Sequence, residues 1–152
     1  MRAAPVTWSR GAYEVSTDLA RLDLSAAHQM IAGTYWAADI PFETFRRSVE
    51  GAYTFGVYHA GELIGLARVI SDGATIAYLG DVYITEAHRG QGLARWLLDC
   101  IDAHPDLQGL RRWILLTRDA HALYQQAGYT ALAAPERWME RAVPNPYRKP
   151  AP

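Results

Sequence analysis

Hydrophobic and polar positions in the middle of the chain alternate with a period of two, which is typical of β-strands. The alternation runs from Tyr53 to His59, returns from Leu63 to Ile70, and returns again from Thr75 to Ile84. Polar, glycine-containing turns at 59–62 and 71–73 separate the three stretches. We therefore predict an antiparallel meander of three strands.

Apolar residues three and four positions apart predict helices on both sides of this meander. Three such helices cover residues 24–33, Pro41 to about Val49, and Gly92 to about Ala103. A shorter helix runs from Asp119, its predicted cap, to Gln126, with Gly128 just beyond its end. The continuous apolar run Trp113–Thr117 predicts a central strand buried on both faces.

The ends of the chain carry weaker patterns. Tyr13–Ser16 predicts one further strand, and Tyr129–Leu132 and Trp138–Arg141 predict two late strands. We expect residues 1–10 and the proline-rich residues 144–152 to be loose.

Composition limits the class of protein. With 152 residues, 50% of them hydrophobic, the chain (1–152) is expected to form a single domain. A net charge of −1 argues against nucleic acid as a partner. No apolar run approaches ~18 residues, so we expect no membrane partner and a cytoplasmic location. Cys100 lies in an apolar helical pattern and is interpreted as a core residue, and the five histidines lack the spacing of metal ligands, so no metal is predicted.

The segment Asp81–Ala94 points to chemistry. It consists of a strand end, a loop with Arg89, Gly90 and Gly92, and the first turn of a helix. Backbone N–H groups and the helix dipole converge at such a place, which binds a phosphate or pyrophosphate. The glycines let the backbone approach the ligand closely, and Ala94 keeps the first helical turn small.

Two common phosphate motifs do not match this loop. A P-loop needs a lysine and a hydroxyl residue after its glycines, where this chain has Leu93 and Ala94. A dinucleotide fingerprint needs a third small residue where Arg95 stands, in an early β-α-β unit.

The pattern Arg89-x-x-Gly92-x-Ala94, after a strand ending in Val82–Ile84, resembles the coenzyme A-binding motif of the GNAT superfamily of N-acetyltransferases. The order of elements over about 12–141 and the segment Asp119–Tyr129 extend the resemblance. Thr-Arg-Asp-Ala-His, Leu-Tyr and Pro-Glu-Arg-Trp-Met further resemble a bacterial subgroup for which no substrate is assigned.

The resemblance implies an α+β fold. Its sheet would be mixed and mostly antiparallel, splayed between the fourth and fifth strands (79–84 and 113–117), with helices on both faces. It also implies acetyl-CoA as the donor, with pantetheine lying beside residues 82–84. The expected cofactor-binding residues are Val82, Tyr83, Ile84, Arg89, Gly90, Gln91, Gly92, Leu93, Ala94, Thr117, His121 and Tyr124.

Two residues are candidates for catalysis. By resemblance, Tyr124 protonates the leaving thiolate, and the N–H of Val82 or Tyr83 stabilises the oxyanion. Asp81 precedes this strand end, where its carboxylate would accept the amine proton or bind a cationic substrate. If Val82 and Ile84 face the core, regular alternation puts Asp81 and Tyr83 on the other face, together with Leu79. A hydrogen-bonded, structural aspartate is the equal alternative.

The acceptor is expected over the first two helices. Tyr35, Trp36 and Phe42 would form an aromatic wall, and Asp39, Glu43 and Asp81 would attract a cationic amine. Hydrophobic packing is the competing interpretation for Ile40 and Phe45.

The sequence therefore predicts an acyltransferase that acetylates a small-molecule amine by direct transfer in a ternary complex. One alternative is a non-catalytic acyl-CoA-binding module, in a homodimer for example. The other is acetylation of protein N-termini or lysines.

Overall fold

The computed structural model describes residues 2–148, which contain a six-stranded sheet. The strands lie side by side in chain order: β1 Thr7–Arg10, β2 Tyr13–Ser16, β3 Tyr53–His59, β4 Glu62–Ser71, β5 Ile76–Ile84 and β6 Arg112–Leu115. Neighbouring strands are antiparallel, except that β5 and β6 are parallel. The predicted α+β class with a mixed, mostly antiparallel sheet is confirmed.

Four α-helices accompany the sheet: α1 Leu24–Ala32, α2 Phe42–Glu50, α3 Leu93–Asp102 and α4 His121–Gln126. Asp23 caps α1 as predicted, because its carboxylate accepts the Ala26 N–H at 3.0 Å. Gly33 and Gly51 end α1 and α2. The local signals therefore set the helix boundaries to within about two residues.

The sheet separates two hydrophobic clusters. Helices α1 and α2 pack on one face, against residues that include Leu63 and Tyr83. Helix α3 and residues of α4 pack on the other face, against residues that include Ile64 and Ile84. Neighbouring strand residues point to opposite faces, so alternate residues of one strand contribute to the two clusters. Helices therefore cover both faces of the sheet, as expected.

A bulge interrupts the pairing of β4 with β5. Leu66 pairs with Tyr83 and Arg68 pairs with Gly80, so one residue of β4 lies opposite two residues of β5. Asp81 lies in this bulge with φ +53°, in the left-handed region. The bulge turns the Asp81 side chain away from the regular ladder.

The extra residue corrects one prediction about the faces of β5. Leu79 was expected to share a face with Asp81 and Tyr83, but it packs in the α3 cluster together with Val82 and Ile84. The alternation is reversed at the bulge, because one inserted residue shifts every later side chain to the other face.

Strands β5 and β6 pair over only part of their length. Their register runs from Ile76 opposite Arg112 to Leu79 opposite Leu115, and β5 continues to Ile84 without a partner in β6. Since β1 was not predicted, β5 and β6 are the fourth and fifth strands of the sequence analysis. The backbone of residues 80–84 is therefore free on its β6 side to bind an extended ligand.

Several predictions at the periphery are wrong. Residues 7–10 form β1, an edge strand too short and too exposed to give a hydrophobic pattern. The run Trp113–Thr117 is not a central strand: β6 ends at Leu115, lies at the sheet edge and is only half-buried, and Leu116 is exposed. Residues 129–132 and 138–141 form no strand.

The C-terminal tail is not loose throughout. Tyr147 is half-buried and packs against the α1–α2 cluster, so residues leading to it cross to that face of the sheet. The expectation for residue 1 and residues 149–152 lies outside the described residues.

Candidate active site

The loop before α3 has the backbone geometry of an anion site. Gly90 and Gly92 have φ +78° and +75°, and Gly92 is the N-cap residue of α3. No side chain in the described residues caps this helix, so its first N–H groups are free for a ligand. A Cβ at either position would meet nothing closer than Arg10 at 3.9 Å, so backbone conformation rather than space requires glycine.

Two arginines lie beside this loop. Arg89 donates from Nε to the Ile84 carbonyl at 2.8 Å, and its guanidinium lies 5.4 Å from the centre of the Tyr83 ring. Arg10 donates to the Gln91 carbonyl at 3.5 Å. Arg10 was missed because it lies in β1, which was expected to be loose.

The side chain of Gln91 is hydrogen-bonded to other residues of the protein. Tyr13 Oη donates to Gln91 Oε1 at 3.2 Å and lies 2.9 Å from His88 Nδ1. These contacts tie the loop to β2 and leave Gln91 to meet a ligand through its backbone. Leu93 likewise has its side chain in the core, so it also offers only its N–H.

Tyr124 lies on α4 in a half-buried position. Its ring meets the edge of Tyr129 at 5.9 Å between centroids. Burial raises the pKa of Tyr124, and the nearby Tyr35 hydroxyl raises it further. The phenol therefore keeps its proton above its ordinary titration range and is suited to donate it.

The turn before α4 differs from the predicted one. Thr117 Oγ1 accepts the Ala120 N–H at 3.0 Å, whereas Ala120, not Asp119, is the N-cap residue of α4. The expected cap role of Asp119 is wrong, because the threonine two residues earlier satisfies the turn. His121 opens α4 with an exposed side chain.

Asp81 is fully engaged within the protein. Its Oδ2 accepts from Arg68 Nε at 2.6 Å, and its Oδ1 accepts from Trp36 Nε1 at 2.8 Å. The side chains of Arg68 and Asp81 are 15% and 8% exposed. Both oxygens therefore have partners within the protein, which favours the structural alternative for Asp81 over a base or a cation site.

Tyr35 and Trp36 form what we call the aromatic strap. The two exposed rings meet edge to face at 5.1 Å, and Trp36 binds Asp81 on β5. Tyr35 Oη accepts the Arg118 N–H at 3.1 Å, just beyond the end of β6. The strap therefore spans the place where β5 and β6 part.

The other predicted acceptor residues lie apart from the strap. Phe42 meets the ring of His28 edge to face at 5.4 Å. Asp39 is exposed with φ +64°. Ile40 and Phe45 are buried in the α1–α2 cluster, as the packing interpretation predicted.

A groove of about 730 Å³ lies beside β6, and Tyr129, which packs on Tyr124, is one of its lining residues. It is bounded by β6 and residues 127–138, and none of the predicted site residues lines it. Volume alone therefore does not mark the candidate site in this chain. Among residues 2–148, no three His, Cys, Asp or Glu side chains cluster as metal ligands, and no helix is long and apolar enough to cross a membrane.

Comparison with known proteins decides the family. A family model described as an acetyltransferase (GNAT) domain matches residues 50–131, which include the meander, the glycine loop and α4. The chain belongs to the GNAT acetyltransferase family. It is therefore an acyltransferase, and the GNAT donor is acetyl-CoA.

Related proteins agree with this assignment. A provisionally named acetyltransferase of Gibberella zeae is 35% identical over 118 residues, which cover 64% of this chain and 67% of the relative. The crystal structure of a provisionally named GNAT acetyltransferase from Xanthomonas campestris is 46% identical, with a TM-score of 0.87, over 90% of this chain and 97% of that one. A Clostridium acetobutylicum acetyltransferase solved with acetyl-CoA shares the fold, at 16% identity and a TM-score of 0.59, over 86% of this chain and 94% of that one.

Besides Arg10, two further residues of the candidate site were not singled out from the sequence. Arg68 lies thirteen positions before its partner Asp81, and Arg118 contacts Tyr35 across 83 positions. No local sequence pattern predicts such pairs, because the fold brings their members together. The only signal for Arg118 was its place in Thr-Arg-Asp-Ala-His, directly after the strand that parts from β5.

Proposed function

We propose that this GNAT acetyltransferase transfers the acetyl group of acetyl-CoA to the amine of a small molecule, by direct transfer in a ternary complex. One observation carries the proposal. The uncapped N-terminus of α3 follows the unpaired end of β5, and Tyr124 packs on the same hydrophobic cluster as Val82 and Ala94.

The residues present fit the donor. Free N–H groups behind Gly90 and Gly92 suit a pyrophosphate, and Arg89 and Arg10 add positive charge beside it. The unpaired backbone of residues 82–84 suits the amide groups of a pantetheine arm. The clostridial protein that shares this fold was solved with acetyl-CoA.

Acetyl-CoA supplies the thioester that the amine attacks and the thiolate that leaves. In our proposal the N–H of Val82 or Tyr83 donates to the carbonyl oxygen as negative charge develops there. Tyr124 Oη then gives its proton to the departing sulfur. Since both Asp81 oxygens are engaged, the amine gives up its proton to water rather than to this carboxylate.

Direct transfer agrees with the state of the cysteine. Cys100 is buried on α3, and burial raises the pKa of its thiol to about 12. A thiol in this state has almost no thiolate at neutral pH and is a poor nucleophile. A small acceptor agrees with the aromatic strap, which narrows the opening that a protein substrate would have to enter.

The engaged Asp81 also favours a second candidate, a non-catalytic acyl-CoA-binding module, because the predicted base is not free. Calorimetry with acetyl-CoA, followed by thiol release in the presence of varied amines and peptides, separates these candidates. We expect micromolar binding and turnover with small amines. Binding without turnover supports the module, turnover only with peptides supports a protein acetyltransferase, and no binding at millimolar acetyl-CoA contradicts both proposals.

A further inference from the structure

Building on the proposed function, we propose that the acceptor amine carries a carboxylate or a phosphate, and that Arg118 binds this anionic group. The sequence suggested the opposite charge, since Asp39, Glu43 and Asp81 were expected to attract a cationic amine. In the structure, two of these three carboxylates are already ion-paired with arginines of the protein.

The acidic groups near the acceptor side are largely neutralised within the protein. Asp81 is paired with Arg68, at 8% and 15% side-chain exposure. Glu43 is ion-paired with Arg46 on α2. Asp39 alone, among the three expected carboxylates, has no ion pair in the described residues.

Arg118 is a cation at the strap that has no close ion pair among residues 2–148. Its guanidinium carbon lies 3.8 Å from the centre of the Tyr35 ring, and its side chain is 65% exposed. The contact with Asp119 is 3.7 Å long between two exposed groups, which is beyond hydrogen-bond distance and weak. A guanidinium stacked by its face keeps the N–H donors along its edge free for a carboxylate or phosphate.

Tyr35 relates this cation to the proposed chemistry. It accepts the Arg118 backbone N–H through Oη, and the same hydroxyl is close enough to Tyr124 to raise the pKa of that phenol. Trp36, its neighbour in the strap, is fixed by Asp81. Arg118 is thus held on a braced ring where β5 and β6 part, on the segment that leads into α4 and Tyr124, and we expect a compact acceptor whose amine and anionic group are only a few bonds apart.

The test compares paired amines that differ only in charge. Each amino acid is assayed beside its methyl ester, and each amino-alkyl phosphate beside the corresponding amino alcohol, by thiol release from acetyl-CoA. The variants are Arg118→Gln and Arg118→Lys, with Arg111→Gln as a matched exposed arginine at the other end of β6. Asp119→Asn and Asp39→Asn test whether these two neighbouring carboxylates affect the charge preference for the acceptor.

We expect the anionic member of a pair to be preferred, and Arg118→Gln to lower its kcat/KM by roughly 10- to 100-fold. The uncharged member and the Kd for acetyl-CoA should change less than about threefold, and Arg111→Gln should behave as wild type. Preference for carboxylates over phosphates, or the reverse, identifies the group. Asp119→Asn should leave the preference intact or strengthen it.

Two results overturn the inference. One is a preference for the anionic amine that survives in Arg118→Gln, and the other is a preference for cationic amines that is lost in Asp39→Asn. If no amine turns over, calorimetry of the same pairs with coenzyme A present still tests Arg118: anion binding that depends on it supports the inference, and its absence contradicts it. Failure to bind acetyl-CoA is a separate result, which contradicts the proposed function.

Discussion

The indole N–H of Trp36 donates a hydrogen bond of 2.8 Å to Asp81 Oδ1, which links the α1–α2 connection to the bulge of β5. The second oxygen of the same carboxylate is held by Arg68 from β4. Three separate parts of the chain therefore meet at Asp81. This arrangement fixes the side of the opening where we propose that the acceptor binds.

Replacing Trp36 with Phe tests this link. An aromatic ring is kept, while the indole N–H and the rest of the pyrrole ring are lost, so the strap should loosen while the donor loop stays intact. We expect the acceptor KM to rise about tenfold, since a hydrogen bond to a charged group contributes about 1.5–3 kcal/mol and Trp36 is partly exposed. Steady-state kinetics with calorimetry of acetyl-CoA measures both effects, and an unchanged KM would show that the link is not used.

Replacing Tyr124 with Phe tests the proposed proton donor. Loss of a general acid should lower kcat by about 100-fold or more, with less than threefold change in the Kd for acetyl-CoA. Tyr129→Phe is the matched control, because that ring packs edge to face on Tyr124. Equal effects of the two variants would argue for packing rather than proton transfer.

The pH profile of kcat gives a second view of Tyr124. Burial disfavours the phenolate, so the raised pKa keeps the acid form present above the ordinary value of 10. We therefore expect no loss of kcat through this group between pH 8 and 10. A Tyr124-dependent decline centred below pH 10 would contradict the assignment.

Gly65 lies opposite Ile84 in the β4–β5 ladder, and it tests the donor segment. A Cβ there would lie 2.9 Å from Ile84 Cδ1 and 3.2 Å from Ile84 Cα. Gly65→Ala should cost about 1–3 kcal/mol of unfolding free energy and weaken acetyl-CoA binding by displacing residues 83–84. Gly33→Ala, with contacts of 3.6 and 3.7 Å, should change neither urea unfolding nor calorimetry.

Cys100 should be dispensable for catalysis. With its pKa raised to about 12 by burial, the folded thiol should not react with a disulfide reagent at pH 8, and one equivalent should react after unfolding. Cys100→Ala should cost about 1–2 kcal/mol of stability through lost packing and keep kcat within about threefold. A large loss of kcat in a folded Cys100→Ala variant would indicate a step through an acyl-cysteine.

Local patterns predicted the parts of this fold that local interactions determine. The alternation at 53–84 predicted the meander, and helical spacing with Asp23, Gly33 and Gly51 predicted α1 and α2. Strand β1 and the edge position of β6 were missed, since burial of a short strand depends on neighbours distant in sequence.

The same distinction applies to the candidate site: the part formed by consecutive residues could be predicted, and the part formed by tertiary contacts could not. The glycine loop could be predicted because its chemistry lies in consecutive residues. The bulge at Asp81 could not, since one inserted residue leaves the hydrophobic pattern almost unchanged. The pairs Arg68–Asp81 and Tyr35–Arg118 depend on tertiary folding, and our proposal for the charge of the acceptor rests on them.

The position of the aromatic strap in the chain bears on how acceptor specificity can differ between relatives. Tyr35 and Trp36 precede the region matched by the family model, residues 50–131, whereas the glycine loop lies well inside it. We therefore expect the connection between α1 and α2 to vary more among relatives than the glycine loop, apart from the residue that binds Asp81. Exchanging this short connection between relatives is a direct route to new acceptors on an unchanged acyl-transfer scaffold.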